Sequence, residues 1–283
     1  MKILVVDQDA LATQLIRSKL EPMGHQVVEE PVKNNAVDRM ANDNFDVVFI
    51  DPAPLTTPRQ MILNARRSVA NYPYIILMSE TIPHEEAAKS GANDLLTKPL
   101  DPEALGQKME NAERLIKLVQ RIGDDSEDFP SAGGVIAKSA FNQLFLSAMD
   151  RADRYGERTF ILQIGLSNYK DILELDGSYA AEFAVAKLSQ YLVLLRRQSD
   201  IIGQTGKSEY SLLLQRPIYE TEPTEAANRF AQELAQYKDL DSSGQTSAEV
   251  TVSLIDVPAG AMSIQHVFSP GADDGAGGEA AES

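Results

Sequence analysis

The chain has 283 residues, 43% of them hydrophobic and 24% charged, with a formal net charge of -16 and no cysteine. The missing cysteine excludes disulfides and thiolate metal sites, and the acid excess argues against nucleic acid as a partner, because phosphate contacts need clustered Lys and Arg. The length suits two domains better than one core, the apolar run at 3–6 is too short for a signal peptide, and no stretch could span a bilayer; a cytoplasmic protein without membrane insertion is expected.

From residue 1 to about 123, short β-branched runs alternate with amphipathic stretches. Strands are predicted at 3–6, 26–28, 47–50, 75–78 and 95–96, with helices near 10–21, 34–43, 59–70, 83–89 and 101–121. Strict alternation predicts an α/β fold with an open, doubly wound parallel sheet of five strands. Ligand sites in such sheets lie beyond the carboxyl ends of the strands. Reading only those ends gathers Asp7, Asp9, Asp51, Ser79 and Lys98. Carboxylates, a hydroxyl and a lysine at one edge suit Mg²⁺ and a phosphoryl group. Any one of these residues alone reads as a solvated loop residue.

Three segments, Val5-Val6-Asp7, the run from Phe45 to Asp51, and the run from Gly91 to Leu100 with its Lys98-Pro99 turn, resemble the response-regulator receiver family. The resemblance implies a flavodoxin-like fold over 1–123, Asp51 as phosphoacceptor, Asp7 and Asp51 as Mg²⁺ ligands, and Ser79 and Lys98 as switch hydroxyl and conserved lysine. It also implies a sensor histidine kinase or phosphotransfer protein as partner. Two positions depart from the family pattern: Gln8 replaces a second acid, and Leu95 replaces an aromatic. Pro52-Ala53-Pro54 makes the loop after Asp51 stiff.

The stretch 101–123 is a long helix with Leu105, Met109, Ala112, Leu115, Ile116 and Val119 on one face. That stripe reads first as packing on the sheet, with its far end free to pair with a second copy in a homodimer. Residues 124–134, rich in charge, Pro and Gly, read as a linker. His25, His84 and His266 are scattered and suggest neither a triad nor a metal cluster.

Beyond the linker, helices are predicted at 138–154, 168–175, 180–197 and 223–238, strands at 160–166 and 249–254, and a hairpin after Asp200. This pattern predicts an α/β domain at 135–260 with mixed or antiparallel pairing. A faint helical pattern at 262–268 opens a stretch, 261–283, that reads as a mostly disordered acidic tail.

Ser139-Ala140-Phe141, Tyr169-Lys170, Gly177, the hairpin from Gly206 to Leu214 and Val250-Thr251-Val252-Ser253 together resemble a GGDEF domain, the diguanylate cyclase fold. The family's signature turn reads Gly206-Lys207-Ser208-Glu209-Tyr210. Gly165 and Ser167 stand where the first strand should offer a metal-binding Asp, Leu173 falls on the guanine-reading Asn, and Glu182 falls on its acidic partner. Two-metal phosphoryl transfer needs clustered carboxylates, so the degenerate domain is expected to be no enzyme. Five residues separate Arg197-Gln198-Ser199-Asp200 from the turn, the spacing of the family's product-binding RxxD site. The resemblance implies that Arg197 and Asp200 bind cyclic di-GMP, with Arg196 assisting at a phosphate. As ordinary residues, an Arg and an Asp at a helix end are favourable through the macrodipole and turn formation alone.

The expected protein is a response regulator whose inactive GGDEF domain binds cyclic di-GMP under control of the receiver and acts on a downstream protein. The alternative is a protein-interaction adaptor that uses no nucleotide.

Overall fold

The computed structural model describes residues 1–55, 58–67, 72–240 and 245–271. Its first half runs β1 (Lys2–Val6), α1 (Ala10–Leu20), β2 (Gln26–Glu29), α2 (Lys33–Asn42), β3 (Val47–Ile50), α3 (Arg59–Arg67), β4 (Tyr74–Ser79), α4 (His84–Lys89), β5 (Asp94–Thr97) and α5 (Pro102–Gly123). The five strands pair in parallel in the order β2-β1-β3-β4-β5, as alternation predicts. Every residue of β3 and β4 is buried, because helices cover both faces of the sheet. Carboxylates start the helices at its two ends. Asp9 accepts from the Leu11 amide, and Asp101 accepts from the amides of Glu103 and Ala104 with Pro102 in the first turn of α5.

The second half runs α6 (Lys138–Tyr155), β6 (Thr159–Leu166), α7 (Tyr169–Leu175), α8 (Gly177–Leu195), β7 (Ile201–Gly206), β8 (Glu209–Gln215), α9 (Glu222–Ala235), β9 (Val250–Asp256) and β10 (Met262–Phe268). Its sheet is antiparallel throughout, in the order β10-β9-β6-β8-β7. Period two divides β6 between two cores. Phe160, Leu162 and Ile164 join Leu188, Leu192 and Phe230 of α8 and α9. Ile161 joins Leu213 and the α6 residues Phe141 and Phe145 on the other side.

That second core does not stop at the domain boundary. Leu105, Met109, Leu115 and Ile122 of α5 belong to the same buried cluster as Phe141, Phe145 and Ile161. The far end of α5, expected to be free for a second copy, is therefore buried against the C-terminal half of its own chain. Polar contacts line the seam. Arg66 Nε lies 3.3 Å from Asp153 Oδ2, and Tyr72 donates to Asp153 Oδ1 at 3.2 Å. Asn93 Nδ2 donates to the Pro258 carbonyl, Tyr74 to that of Ala259 and Arg114 to that of Gly260, at 2.7, 2.5 and 2.8 Å. Arg59 bridges the carbonyls of Lys89 and Arg154.

Two sequence expectations need correction. Residues 262–268 form a strand, not the start of a helix or tail: Ile264, His266 and Phe268 alternate with more exposed residues and pair with β9. An edge strand needs only one apolar face, so its period-two signal is weak. Helix α8 ends at Leu195, two residues early, which places Arg197 in a turn. The expected tail beyond 271, like residues 68–70 of the predicted third helix, lies outside the described residues.

Candidate functional site

At the carboxyl edge of the first sheet, Lys98 Nζ lies 2.8 Å from Asp7 Oδ2 and 2.5 Å from Asp51 Oδ2. Burial alone would lower the Lys98 pKa, but the hydrogen bonds and charges of Asp51 and Asp7 outweigh it and raise it. Asp51 Oδ1 also accepts from the Ala53 amide at 2.7 Å, which fixes the carboxylate against the stiff loop. Ser79 Oγ accepts from the Thr81 and Ile82 amides, both at 3.2 Å. Asp9 does not join this group. Its carboxylate caps α1, while its amide donates to Asp7 Oδ1 at 2.9 Å. Sequence position put five groups at one edge; the structure gathers three tightly, with Asp9 spent on a helix start. Two carboxylates on one ammonium are hard oxygen donors of the kind Mg²⁺ takes.

In the second half, the turn after α8 is built by its own motif. Asp200 Oδ2 accepts from the Arg197 amide at 2.9 Å, and the Asp200 amide donates to the Arg197 carbonyl at 3.0 Å. Arg196 Nη1 donates to the Asp200 carbonyl at 2.9 Å and so braces the turn. This turn rims a cavity of about 200 Å³ lined by Arg197, Asp200, Leu213, Glu222, Pro223 and Arg229, among others. Arg196, expected to assist at a phosphate, does not line it. Arg229 does, and sequence reading missed it. Its Nη1 donates to the Leu195 carbonyl at 2.7 Å, while its Nε is buried without a hydrogen-bond partner. The available signal was Glu222 and Arg229 two turns apart on one face of α9.

Arg197 Nη1 is held 3.3 Å from Glu222 Oε1, with the Arg197 side chain 58% exposed. A contact that exposed contributes little stability, so an incoming acceptor can take the guanidinium at small cost. On the same turn Asp200 supplies a carboxylate acceptor beside the Arg197 guanidinium donor.

Five residues of β7, Ile201 to Thr205, separate that rim from the signature turn at Gly206. Lys207 and Ser208 form the two-residue hairpin tip between paired Gly206 and Glu209. Tyr210 is buried, with its hydroxyl 3.3 Å from the Val185 carbonyl. Burial pushes the Glu209 pKa up, against the opposing effects of Arg121 and Thr205. Gly165 lies directly under the tip: a Cβ there would meet the Ser208 carbonyl oxygen at 2.9 Å. An Asp cannot occupy that strand position unless the hairpin backbone moves. Beside Glu209 the pocket is lined by Gln163, Gly165, Ser167, Ser208, Thr251 and Ser253, which are neutral, and by Arg121.

Among the described residues no helix is long and apolar enough to cross a membrane. Residues 131–259 match the family model "Diguanylate cyclase, GGDEF domain". Response regulator MprA of Mycolicibacterium vanbaalenii is 24% identical over 221 residues, 72% of this chain and 91% of its own. Among solved structures, a two-component response regulator from Clostridium difficile matches 40% of this chain and 96% of its own at 23% identity, with a TM-score of 0.37. The receiver domain of Francisella response regulator 1452 matches 41% and 97% at 29% identity, with a TM-score of 0.36. Residues 131–259 thus carry a GGDEF domain, and the five-stranded parallel half that precedes it is similar to response regulators.

Proposed function

We propose that this chain is a response regulator whose GGDEF domain has given up synthesis and serves as a receptor for cyclic di-GMP at Arg197 and Asp200, under control of the receiver. The observation that carries the reading is the preformed turn at the cavity rim. Asp200 is fixed by backbone hydrogen bonds, the Arg197 guanidinium meets Glu222 in an exposed contact, and Arg229 lines the same cavity. Loss of synthesis is supported by Gly165, Ser167 and Ser208 at the positions that should carry metal, and by Arg121 on the remaining acid. Calorimetry with cyclic di-GMP tests the reading. Binding is expected to the full chain, and Arg197→Ala should weaken it on the order of 100-fold, as loss of a charged bidentate donor does. No heat with wild type, or equal affinity in the variant, overturns it, as does formation of cyclic di-GMP from GTP and Mg²⁺.

Control by the receiver rests on Asp51. Asp7 and Asp51 would hold Mg²⁺, which neutralises phosphoryl charge when bound. Lys98, already shared between the two carboxylates, would donate to the phosphoryl group, with Ser79 at the end of β4 as a further donor. A small phosphodonor plus Mg²⁺ is expected to add one phosphoryl mass to wild type and none to Asp51→Asn. Equal modification of both, or of neither, removes Asp51 as the acceptor.

A further inference from the structure

Helix α5 begins four residues after Lys98, at the edge of the phosphoacceptor site, and runs into the other domain. Nineteen residues on, about 28 Å along the axis at 1.5 Å per residue, its last turn presents Arg121. The Nη1 of Arg121 lies 2.6 Å from Glu209 Oε2. Its other terminal nitrogen lies against Gly206, where a Cβ would approach Nη2 to 2.9 Å. One guanidinium from α5 thus meets both paired residues, Gly206 and Glu209, that flank the hairpin tip at Lys207 and Ser208.

Glu209 is held on its other side by its own domain. Thr205 Oγ1 donates to Oε1 at 3.1 Å and Gln163 Nε2 lies 3.4 Å from the same oxygen, while Thr205 Oγ1 is also 2.9 Å from Ser211 Oγ. The carboxylate side chain is only 17% exposed. A carboxylate this buried needs a cation beside it. Among the described residues the salt bridge to Glu209 comes from Arg121 alone, out of a helix of the other domain.

We infer that the signature acid has been converted from a metal ligand into an interdomain latch, in which Arg121 takes the place of the cation and clamps the β7–β8 hairpin to α5. The latch links the receiver's last helix to the strand that runs back from the signature turn to Asp200. It also places a positive charge in the lining of the pocket beside Glu209. This inference rests on side-chain geometry and holds whether or not cyclic di-GMP binds or Asp51 is phosphorylated.

Hydrogen exchange read by mass spectrometry on the full chain tests it. In Arg121→Ala, amides of 203–209 are expected to exchange on the order of tenfold faster, as local openings do when a restraining contact is lost. Exchange in β9, in the same sheet but away from the hairpin, stays unchanged. Arg121→Glu should be at least as fast as Arg121→Ala, because a second acid then faces the buried Glu209. Arg121→Glu combined with Glu209→Arg restores the pair and should return the hairpin to within about twofold of wild type. An unchanged hairpin in Arg121→Ala, an equal rise in β9, or failure of the exchanged pair to restore protection each overturns the latch.

Discussion

Arg66→Ala is expected to destabilise the chain by about 3–5 kcal/mol, the cost of leaving a buried charge without its partner. Arg66 is 9% exposed at its side chain, and its guanidinium serves several acceptors at once: the Gly91 carbonyl at 3.0 Å, the Pro73 carbonyl at 3.1 Å and Asn93 Oδ1 at 2.7 Å, besides Asp153. It also stacks 4.4 Å from the centre of the Tyr72 ring. Removing it strands the Asp153 carboxylate inside the seam between the two domains. Urea denaturation measures the loss, and a shift below about 1 kcal/mol would mean that water reaches Asp153.

The pH dependence of the same seam has a defined sign. Burial raises the Asp153 pKa against the pull of Arg66 and Tyr72, and burial likewise raises Asp256 and Glu209. Each of these carboxyls holds its proton to higher pH in the folded chain than in the unfolded one. Their contribution to stability is therefore greatest below the ordinary carboxyl values of 3.8 for Asp and 4.5 for Glu, and falls as pH rises above them. Asp153→Asn should flatten part of that fall, and Arg66→Ala should be least damaging at the acid end, where Asp153 can take a proton.

Gly260→Ala is the second large effect, expected at about 2–4 kcal/mol although only a methyl group is added. Gly260 sits at φ +67°, in the left-handed region, and its new Cβ would lie 2.3 Å from the Asn111 carbonyl oxygen and 3.0 Å from Leu115 Cβ. Asn111 and Leu115 belong to α5, so the clash pries the β9–β10 turn from the receiver. The carbonyls of Pro258, Ala259 and Gly260 would then lose Asn93, Tyr74 and Arg114 together. Because one apolar core crosses the boundary, wild type should unfold in a single transition and the variant should separate it into two. A variant within about 0.5 kcal/mol of wild type, still cooperative, would show that the turn can re-seat.

Local chemistry wrote the elements legibly. Apolar runs at 47–50 and 75–78 read as strands covered on both faces, and their alternation with helices put the polar groups at the carboxyl edge. The RxxD motif was legible through its resemblance to the family's site at five residues from the turn, and the hydrogen bonds that shape it are local, spanning three residues. Arg229 was not legible. It reaches the Leu195 carbonyl, 34 positions away, and no periodicity encodes that meeting. Met262–Phe268 misled for a related reason: an edge strand shows its identity through its partner β9 more than through its own pattern.

The sequence by itself determined the two-part α/β organisation, the strand-end set Asp7, Asp9, Asp51, Ser79 and Lys98, and the neutral residues Gly165, Ser167 and Ser208 near the signature turn. These follow from residue type and short spacing, which fix local conformation and charge wherever the segment ends up. Only the tertiary structure decided that α5 serves both domains, that Asp153 meets Arg66 across a shared core, and that Arg121 faces Glu209. Such contacts form between residues tens to more than a hundred positions apart. They exist because the exposed apolar face left on each domain is buried most cheaply against the other, which brings into register charges whose sequence neighbourhoods say nothing of each other.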